Sequence, residues 1–289
     1  MDTARPFISR SEFSALLGCP SAPCVLDVRP AARFAASTRL VATARYCAPD
    51  GVAHFAKAHA PCDLVVYCVY GHEKSQNAAQ VLRNAGWNAR TLAGGFEGGE
   101  PGVDASRDLA QWRSEPLPTI GKRPDLGVDG RLPSRWIASE RPKIDEVACS
   151  WLIHRFIDPR AEFLYVATDQ VLPTAARLDA VVFDCLDAPV SHQADDCSFD
   201  ALLAAFDLQV PALHLLATIV RDADTGPLLL APQAAGLLAI SLDLSRLCPD
   251  DADMLKAAMP VYDALYAWCR DGQAQIHKRN PATLAGAGA

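Results

Sequence analysis

Short apolar runs of strand length recur in the first 113 residues, and they restrict the fold more than any other feature of the chain. The runs cover residues 24–28, 64–68 and 89–92, and they are typical of buried strands. Stretches of helical spacing lie between and after them. Strands that alternate with helices indicate an α/β fold with a parallel sheet.

Two helices in this region have clear start and stop signals. In SRSEFSALLG, Ser9 or Ser11 is the predicted N-cap, and Gly18 the predicted end. In SQNAAQVLRNAG, Ser75 is the predicted N-cap and Gly86 the predicted end. The second helix therefore follows the strand at residues 64–68 after a short loop.

The composition is ordinary for a soluble globular protein, with 50% hydrophobic and 21% charged residues. The polar start MDTARPFISR precedes no apolar signal segment, and Pro227, Pro232 and Asp243 interrupt the most apolar stretch, 226–244. We therefore expect a cytoplasmic protein that does not enter a membrane. Its ten cysteines contain no CxxC pair, and we expect them to be reduced.

Charge is unevenly distributed along the chain. Residues 1–113 carry 12 Lys and Arg against 10 Asp and Glu, a net charge of +2, whereas residues 135–289 carry 12 against 21, a net charge of −9. An acidic second half repels a phosphate backbone, which argues against nucleic-acid binding. The sequence assigns no oligomeric state.

The segment 114–134 differs in composition from the sequence on either side of it. It contains four Pro and three Gly and has no sustained apolar periodicity, which predicts a flexible linker. The predicted domains are therefore residues 1–113 and 135–280, and residues 281–289 are predicted to be a disordered tail.

The second half is predicted to be mainly α-helical with a small sheet, an α+β arrangement. Helical spacing extends from Ile144 to the Asp158-Pro159 stop, and further helices are predicted over 199–207, 211–222 and 254–270. Apolar runs at 162–166 and 180–183 predict two strands.

The loop after the strand at 64–68 carries the most specific chemical signal. It begins at Cys68, and its members are Val69, Tyr70, Gly71, His72, Glu73, Lys74 and Ser75. A strand–loop–helix connection directs successive backbone N–H groups and a helix N-terminus at one point, which binds an anion and activates a thiol. Lys74 adds positive charge, Gly71 permits a tight turn and His72 offers a donor. The alternative is a half-buried cysteine before a surface turn.

Four blocks of sequence accompany this loop. They are Leu26-Asp27-Val28-Arg29, Val65-Val66-Tyr67-Cys68, Leu82-Arg83-Asn84-Ala85-Gly86-Trp87 and Leu92-Ala93-Gly94-Gly95-Phe96. In these blocks the first 113 residues resemble the rhodanese domain, a sulfurtransferase fold with a parallel sheet flanked by helices. The resemblance implies that Cys68 accepts a sulfane sulfur as a persulfide, from a donor such as thiosulfate, and passes it to a thiol or cyanide-like acceptor. It also implies that Asp27 and Arg29 support the loop.

Two departures from the rhodanese pattern leave other functions open. Residues 33–41 lack the Gly-His that usually follows the first block, and Lys74 stands six residues after Cys68 instead of five. Six is the spacing of related phosphatases and eukaryotic arsenate reductases, which have Arg at that last position. A wider loop seats a tetrahedral oxyanion, but Lys lacks the bidentate fork of Arg. The alternatives are oxyanion reductase-like activity and a catalytically silent sensor.

The second half contains a further set of motifs. They are Arg141-Pro142-Lys143-Ile144-Asp145, Ala148-Cys149-Ser150-Trp151-Leu152-Ile153, Arg155-Phe156-Ile157-Asp158-Pro159, Ala161-Glu162-Phe163-Leu164, His192, Cys197-Ser198-Phe199-Asp200, Ile219-Val220-Arg221, Ala223-Asp224 and Tyr262-Asp263-Ala264-Leu265-Tyr266. On these, the chain from Trp136 onward resembles the C-terminal domain of ChrB-type chromate resistance proteins. Ser150 and His154 depart from that pattern, which usually has Pro and often Arg.

Two ligand sites are candidates in this ChrB-like half. Arg141, Lys143 and Arg155 bracket one helix and suit a dianion such as chromate, with a solvated helix surface as the alternative. The candidate metal ligands are His192, Asp145, Asp224 and Cys197. Histidine with carboxylates suits iron, manganese or zinc, but no tight ligand spacing supports the site.

The two resemblances together imply an enzyme, a rhodanese-type sulfurtransferase linked to chromate or oxyanion resistance through its C-terminal domain. The alternative is a non-catalytic redox or oxyanion sensor that regulates a chromate resistance system.

Overall fold

The structure, a computed structural model, describes residues 6–185, 188–191 and 196–272. The strands of the first half are β1 (Phe7–Ile8), β2 (Cys24–Asp27), β3 (Arg39–Val41), β4 (Ala44–Tyr46), β5 (Asp63–Tyr67) and β6 (Asn88–Leu92). Five of them form one sheet in the order β1-β6-β5-β2-β4, and every neighbouring pair is parallel. The predicted parallel α/β sheet is therefore confirmed.

Helices cover both faces of this sheet. They are α1 (Arg10–Leu16), α2 (Ala31–Ala36), α3 (Val52–Ala58), α4 (Glu73–Asn84) and α5 (Ser106–Ser114). Alternate strand residues enter different apolar clusters: Leu64 and Val66 pack with α3 and α4, whereas Val65 and Tyr67 face the cluster that contains Phe13 of α1. This alternation is the two-residue period of a strand buried on both faces.

The predicted cap of α1 is confirmed, and the predicted cap of α4 is wrong. Ser9 Oγ accepts a hydrogen bond from the Glu12 N–H at 3.1 Å, and the Ser9 N–H donates to Glu12 Oε2 at 2.9 Å, which is a capping box. Helix α4 begins at Glu73 with His72 as its N-cap, three residues earlier than expected. Ser75 therefore lies in the first turn of α4, where its hydroxyl contacts other groups.

The segment 114–134 connects the halves, but it is not the flexible linker that its composition predicts. Strand β7 (Thr119–Gly121) pairs antiparallel with β3, and Pro124–Leu126 forms a 3-10 turn. Ile120, Leu126 and Val128 are buried in the same apolar cluster as Phe13. The proline and glycine residues shape turns in this segment, while its few apolar residues attach it to the rest of the chain.

The second half is mainly helical around a small parallel sheet. Its strands are β8 (Arg135–Ser139), β9 (Glu162–Val166) and β10 (Val181–Val182), in the order β10-β8-β9. Its helices are α6 (Ile144–Leu152), α7 (Val171–Leu178), α8 (Ser198–Ala205), α9 (Pro211–Asp224), α10 (Ala234–Leu247) and α11 (Asp251–Ala267), with π-helical turns at Ile153–Ile157 and Trp268–Gly272. Helices α6, α8, α9 and α11 were predicted, and β8, α7 and α10 were not. None of the described helices is long and apolar enough to cross a bilayer.

One hydrophobic core continues from the first half into the second. Phe13 and Leu17 belong to the same buried cluster as Phe156 and Tyr266. Gly18, which follows α1 with a φ of +76°, lies against these two rings: a Cβ atom at Gly18 would be 2.4 Å from Phe156 Cζ and 2.6 Å from Tyr266 Cε1. The two halves are therefore packed against each other, and glycine is required at this contact.

This contact makes a prediction about stability. Gly18→Ala should lower the free energy of unfolding by about 2–4 kcal/mol, because the methyl group adds steric overlap to the left-handed backbone. The matched control is Gly102→Ala, which has a φ of +81° but no atom within 4 Å of the added Cβ. It should cost about 1–2 kcal/mol from the backbone alone. Urea unfolding measures both, and equal losses would contradict the packed interface.

Candidate active site

Cys68 lies at the carboxyl edge of the five-stranded sheet, directly after β5. Its neighbour β2 ends at Asp27, and α4 begins at Glu73, so the loop between β5 and α4 lies over the strand ends where ligands bind in open α/β sheets. The Cys68 side chain is 5% exposed and forms part of the wall of a cavity of about 330 Å³. The lining residues are Pro30, Arg33, Cys68, Val69, Tyr70, His72, Glu73 and Lys74.

The first carbonyl groups of the loop are bonded to the segment that follows β6. The oxygens of Cys68 and Val69 accept hydrogen bonds from the Phe96 and Glu97 N–H groups at 2.9 and 2.8 Å. Within the described ranges, the successive N–H groups from Val69 to Ser75 donate to no protein acceptor. A run of unused N–H groups at a helix N-terminus binds an anion or stabilises a thiolate.

Two glycines allow the loop to approach the following segment closely. Gly71 has a φ of +83°, and a Cβ atom there would be 2.7 Å from the Gly95 nitrogen. A Cβ atom at Gly95 would be 2.3 Å from the Gly71 nitrogen. Arg10 also binds this segment, because its Nη2 donates to the carbonyl oxygens of Gly95 and Phe96 at 2.8 Å each. These contacts explain why the Gly94-Gly95-Phe96 block stands at this place in the sequence.

Ser75 is a partner of the Cys68 thiol. The Cys68 Sγ lies 3.2 Å from Ser75 Oγ, and Ser75 Oγ donates to the His72 carbonyl oxygen at 3.0 Å. While the Ser75 hydroxyl donates its hydrogen bond to the His72 carbonyl oxygen, the hydroxyl oxygen can accept a hydrogen bond from a neutral Cys68 thiol. Rotation of the hydroxyl hydrogen would let it donate to a thiolate instead, so Ser75 serves both protonation states of Cys68.

His72 is held by carboxylates that sequence reasoning missed. Its Nε2 lies 2.9 Å from Asp104 Oδ2, and its Nδ1 lies 3.5 Å from Glu100 Oε2. His72, the predicted hydrogen-bond donor, is therefore paired with carboxylates that lie about thirty residues further along the chain. Lys74 is exposed and lines the cavity mouth together with Arg33. Arg33, Asp104 and Glu100 lie outside the four sequence blocks that accompany the loop, so no local signal singled them out.

The predicted supporting residues form a buried network beside the loop. Arg29 Nη2 and Nε bond the Asp27 carboxylate at 2.7 and 3.0 Å, and the Tyr67 hydroxyl donates to Asp27 Oδ2 at 2.7 Å. Burial lowers the pKa of Arg29, but the bond to Asp27 together with the nearby charges of Tyr67, Asp27 and Glu97 outweighs burial and holds the pKa above its ordinary value. Burial and the charge of Asp27 raise the pKa of Tyr67 far above its ordinary value. The guanidinium also lies 4.4 Å from the centre of the Phe96 ring.

A second cavity of about 320 Å³ adjoins the first and shares Arg33 and Val69 with it. Its other lining residues are Arg29, Ala36, Ser37, Thr38, Arg39, Phe96 and Glu97. Much of this lining comes from residues 33–41, the segment that departs from the rhodanese pattern. The segment that departs from the pattern therefore lines a cavity next to the Cys68 loop.

Two of the three cationic residues predicted for oxyanion binding in the second half have hydrogen-bond partners within the protein. Arg155 bonds Asp263 through Nε and Nη2 at 2.8 and 2.9 Å. The Arg141 side chain donates to the carbonyl oxygens of Ser245 and Cys248, beyond the middle of α10. Lys143 is exposed at the start of α6. The partners of both arginines lie within the protein, and the dianion site stays a prediction.

The predicted metal ligands have other contacts or lie outside the described residues. Asp145 is fully buried and accepts from the Ser198 and Phe199 N–H groups at 2.6 and 3.1 Å, so it caps the start of α8. Asp224 is the last residue of α9, and Cys197 is the N-cap of α8. His192 lies outside the described residues. The described ranges contain no group of three or more His, Cys, Asp and Glu able to hold a metal, and the site stays a prediction.

Glu146, on α6, is a half-buried carboxylate that sequence reasoning did not single out. Its Oε2 accepts from the Lys143 N–H at 3.0 Å. Burial, and then the charge of Asp184, raise its pKa to about 7 from an ordinary value of 4.5. This group therefore gains charge only near neutral pH.

Comparisons with known families agree with both resemblances. Residues 9–100 match the family described as the rhodanese-like domain, and residues 136–269 match the family described as ChrB, C-terminal domain. The chain therefore carries a rhodanese-like α/β domain followed by a mainly helical ChrB C-terminal domain.

Individual relatives are similar over parts of the chain. Protein ChrB of Cupriavidus metallidurans is 34% identical over 150 residues, which are 48% of this chain and 45% of that protein, so the chain spans less than half of its length. A rhodanese homologue from Thermus thermophilus is 29% identical, covering 32% of this chain and 99% of its own, with a TM-score of 0.26. The As-Sb reductase from Leishmania major is 19% identical, covering 32% and 73%, with a TM-score of 0.26.

The raised pKa of Glu146 predicts a pH dependence of stability. The folded state keeps this proton up to about pH 7, whereas the unfolded chain loses it near pH 4.5. The stability linked to it is therefore complete below pH 4.5 and lost as pH rises through about 7. Relative to wild type, Glu146→Gln should gain about 2–3 kcal/mol of unfolding free energy between pH 5 and pH 8.

Urea unfolding of both proteins across this pH range measures the difference. Glutamine keeps an acceptor for the Lys143 N–H, so the comparison isolates the charge. A difference between the two proteins that does not change with pH would contradict the raised pKa.

Proposed function

We propose that this chain is a rhodanese-type sulfurtransferase in which Cys68 forms a persulfide. The observation that carries the proposal is the row of unused N–H groups from Val69 to Ser75 beside a thiol at the end of β5. These groups stabilise negative charge on the sulfur of a thiolate or persulfide. The match of residues 9–100 to the rhodanese-like domain supports the same chemistry.

The proposed reaction has two displacement steps. The Cys68 thiolate attacks the outer sulfur of thiosulfate, a new S–S bond forms, and sulfite leaves with the electron pair of the broken S–S bond. An acceptor such as cyanide or a thiolate then attacks the outer sulfur of the persulfide. The Cys68 thiolate leaves with the electron pair and is ready for the next donor.

The charged residues of the cavity have distinct roles in this scheme. Lys74 and Arg33 at the mouth attract an anionic donor and stabilise the departing sulfite. The Ser75 hydroxyl, 3.2 Å from the sulfur, donates to Cys68 whenever it carries negative charge. His72, held by Asp104 and Glu100, positions the start of α4 and is not needed as a base, because the reaction transfers sulfur and not a proton.

We further propose that this activity serves chromate or oxyanion resistance through the ChrB C-terminal domain. The match of residues 136–269 and the similarity to protein ChrB support this context. An oxyanion sensor is the second candidate, because Lys74 stands six positions after Cys68 and the cavity of about 330 Å³ has room for a tetrahedral anion. In that case Cys68 reports on oxyanion or redox state without turnover.

Cyanolysis of thiosulfate tests the enzyme proposal. Wild type should produce thiocyanate, and Cys68→Ser should reduce the rate to background, because no nucleophile remains. Ser75→Ala should lower kcat/KM by about 3- to 10-fold, the loss of one hydrogen bond to the reacting sulfur. The control is Cys47→Ser, at a half-buried cysteine outside the cavity lining, which should keep full activity.

Two results would count against the enzyme. Activity retained by Cys68→Ser would place the reaction elsewhere. A wild type without activity, given correct folding by circular dichroism, would favour the sensor.

A further inference from the structure

A pair of thiols lies at the opposite edge of the sheet from Cys68. Cys24 is the first residue of β2, and Cys62 directly precedes β5. Both side chains are exposed, and their sulfur atoms lie 3.4 Å apart, with the Cys62 thiol donating to Cys24 Sγ. Sequence reasoning predicted reduced cysteines without pairing, because 38 residues separate these two and only the register of adjacent strands brings them together.

The surroundings make the two thiols unequal. Burial, the bond to Cys24 and the nearby charges of Cys24 and Asp63 raise the pKa of Cys62 to about 12, so Cys62 keeps its proton. The proton points at Cys24 Sγ, where it stabilises negative charge. Cys24 is therefore the attacking thiol of the pair, and Cys62 is the thiol that resolves the product.

Arg45 supplies positive charge beside this pair. Burial lowers the pKa of Arg45, while the neighbouring Cys47 and Cys24 thiols raise it. Its Nη2 contacts His59 Nε2 at 3.2 Å, and its Nε is buried without a hydrogen-bond partner among the described residues. The Arg45 guanidinium therefore lies within electrostatic reach of both thiols of the pair.

We propose that Cys24 and Cys62 form a redox-active dithiol that exchanges with low-molecular-weight disulfides, at a site separate from Cys68. The Cys24 thiolate attacks one sulfur of the small disulfide, a mixed disulfide forms, and one small thiolate leaves with the electron pair. Cys62 then gives up its proton to solvent and attacks Cys24 Sγ. The second small thiolate leaves, the protein is oxidised by two electrons, and the small disulfide is reduced to two thiols.

The fold favours this closure. The sulfur atoms need to approach by only about 1.4 Å to reach bonding distance. The bond would join the amino ends of β2 and β5, the strands whose carboxyl ends carry Asp27 and Cys68. Oxidation would therefore restrain the two central strands that hold the candidate active site.

The test uses the full chain and glutathione disulfide as the probe, followed by peptide mapping without reduction. Wild type should yield a Cys24–Cys62 cross-linked peptide and retain no glutathione. Cys62→Ser should stop at a stable glutathione adduct on Cys24. In Cys24→Ser, no cross-link should form, and the rate of glutathione addition at this pair should fall at least about tenfold, because the attacking thiol is absent. Cys47→Ser is the matched control and should cross-link as wild type does.

Two outcomes would overturn the proposal. One is a stable glutathione adduct on wild type with no cross-link, and the other is no reaction at either cysteine. Thiosulfate cyanolysis by Cys24→Ser and Cys62→Ser should equal that of wild type, so failure of the dithiol is distinguishable from failure of the Cys68 reaction.

Discussion

The buried ion pair between Asp27 and Arg29 organises the carboxyl edge of the sheet. Asp27 at the end of β2 binds both Arg29 and the Tyr67 hydroxyl of β5, so it joins the two strands from which the site is built. Arg29 then contacts the Phe96 ring and donates to the Arg39 carbonyl oxygen at the start of β3. Each segment around Cys68 thereby depends on one buried charge pair, and breaking such a pair leaves an uncompensated charge.

The departure from the rhodanese pattern after Arg29 coincides with the attachment of the second half. Arg39 forms an ion pair with Asp207, and β3 pairs with β7 of the connecting segment. This segment supplies an edge on which the rest of the chain docks. The ChrB C-terminal domain is therefore in direct structural contact with an element next to the candidate active site.

Sequence reasoning predicted features that depend on local pattern. The strands β2, β5 and β6, the Ser9 cap and the position of Cys68 all follow from apolar runs and turn residues. Sequence reasoning did not predict side-chain contacts that depend on which distant residues the fold brings together. Ser75 has the residue type of a cap but contacts the thiol, and Arg155 has the charge for an oxyanion but binds Asp263. The Pro- and Gly-rich segment 114–134 is ordered because Ile120 is buried, a tertiary effect that composition does not report.

The central claim is that Cys68 carries sulfane sulfur. The most direct measurement is the intact mass of the full chain after incubation with thiosulfate and removal of the excess, with peptide mapping of the modified residue. The account predicts a mass increase of one sulfur atom, located on Cys68 and discharged by cyanide. A chain whose mass is unchanged, or one that carries the added sulfur on another cysteine, would contradict it.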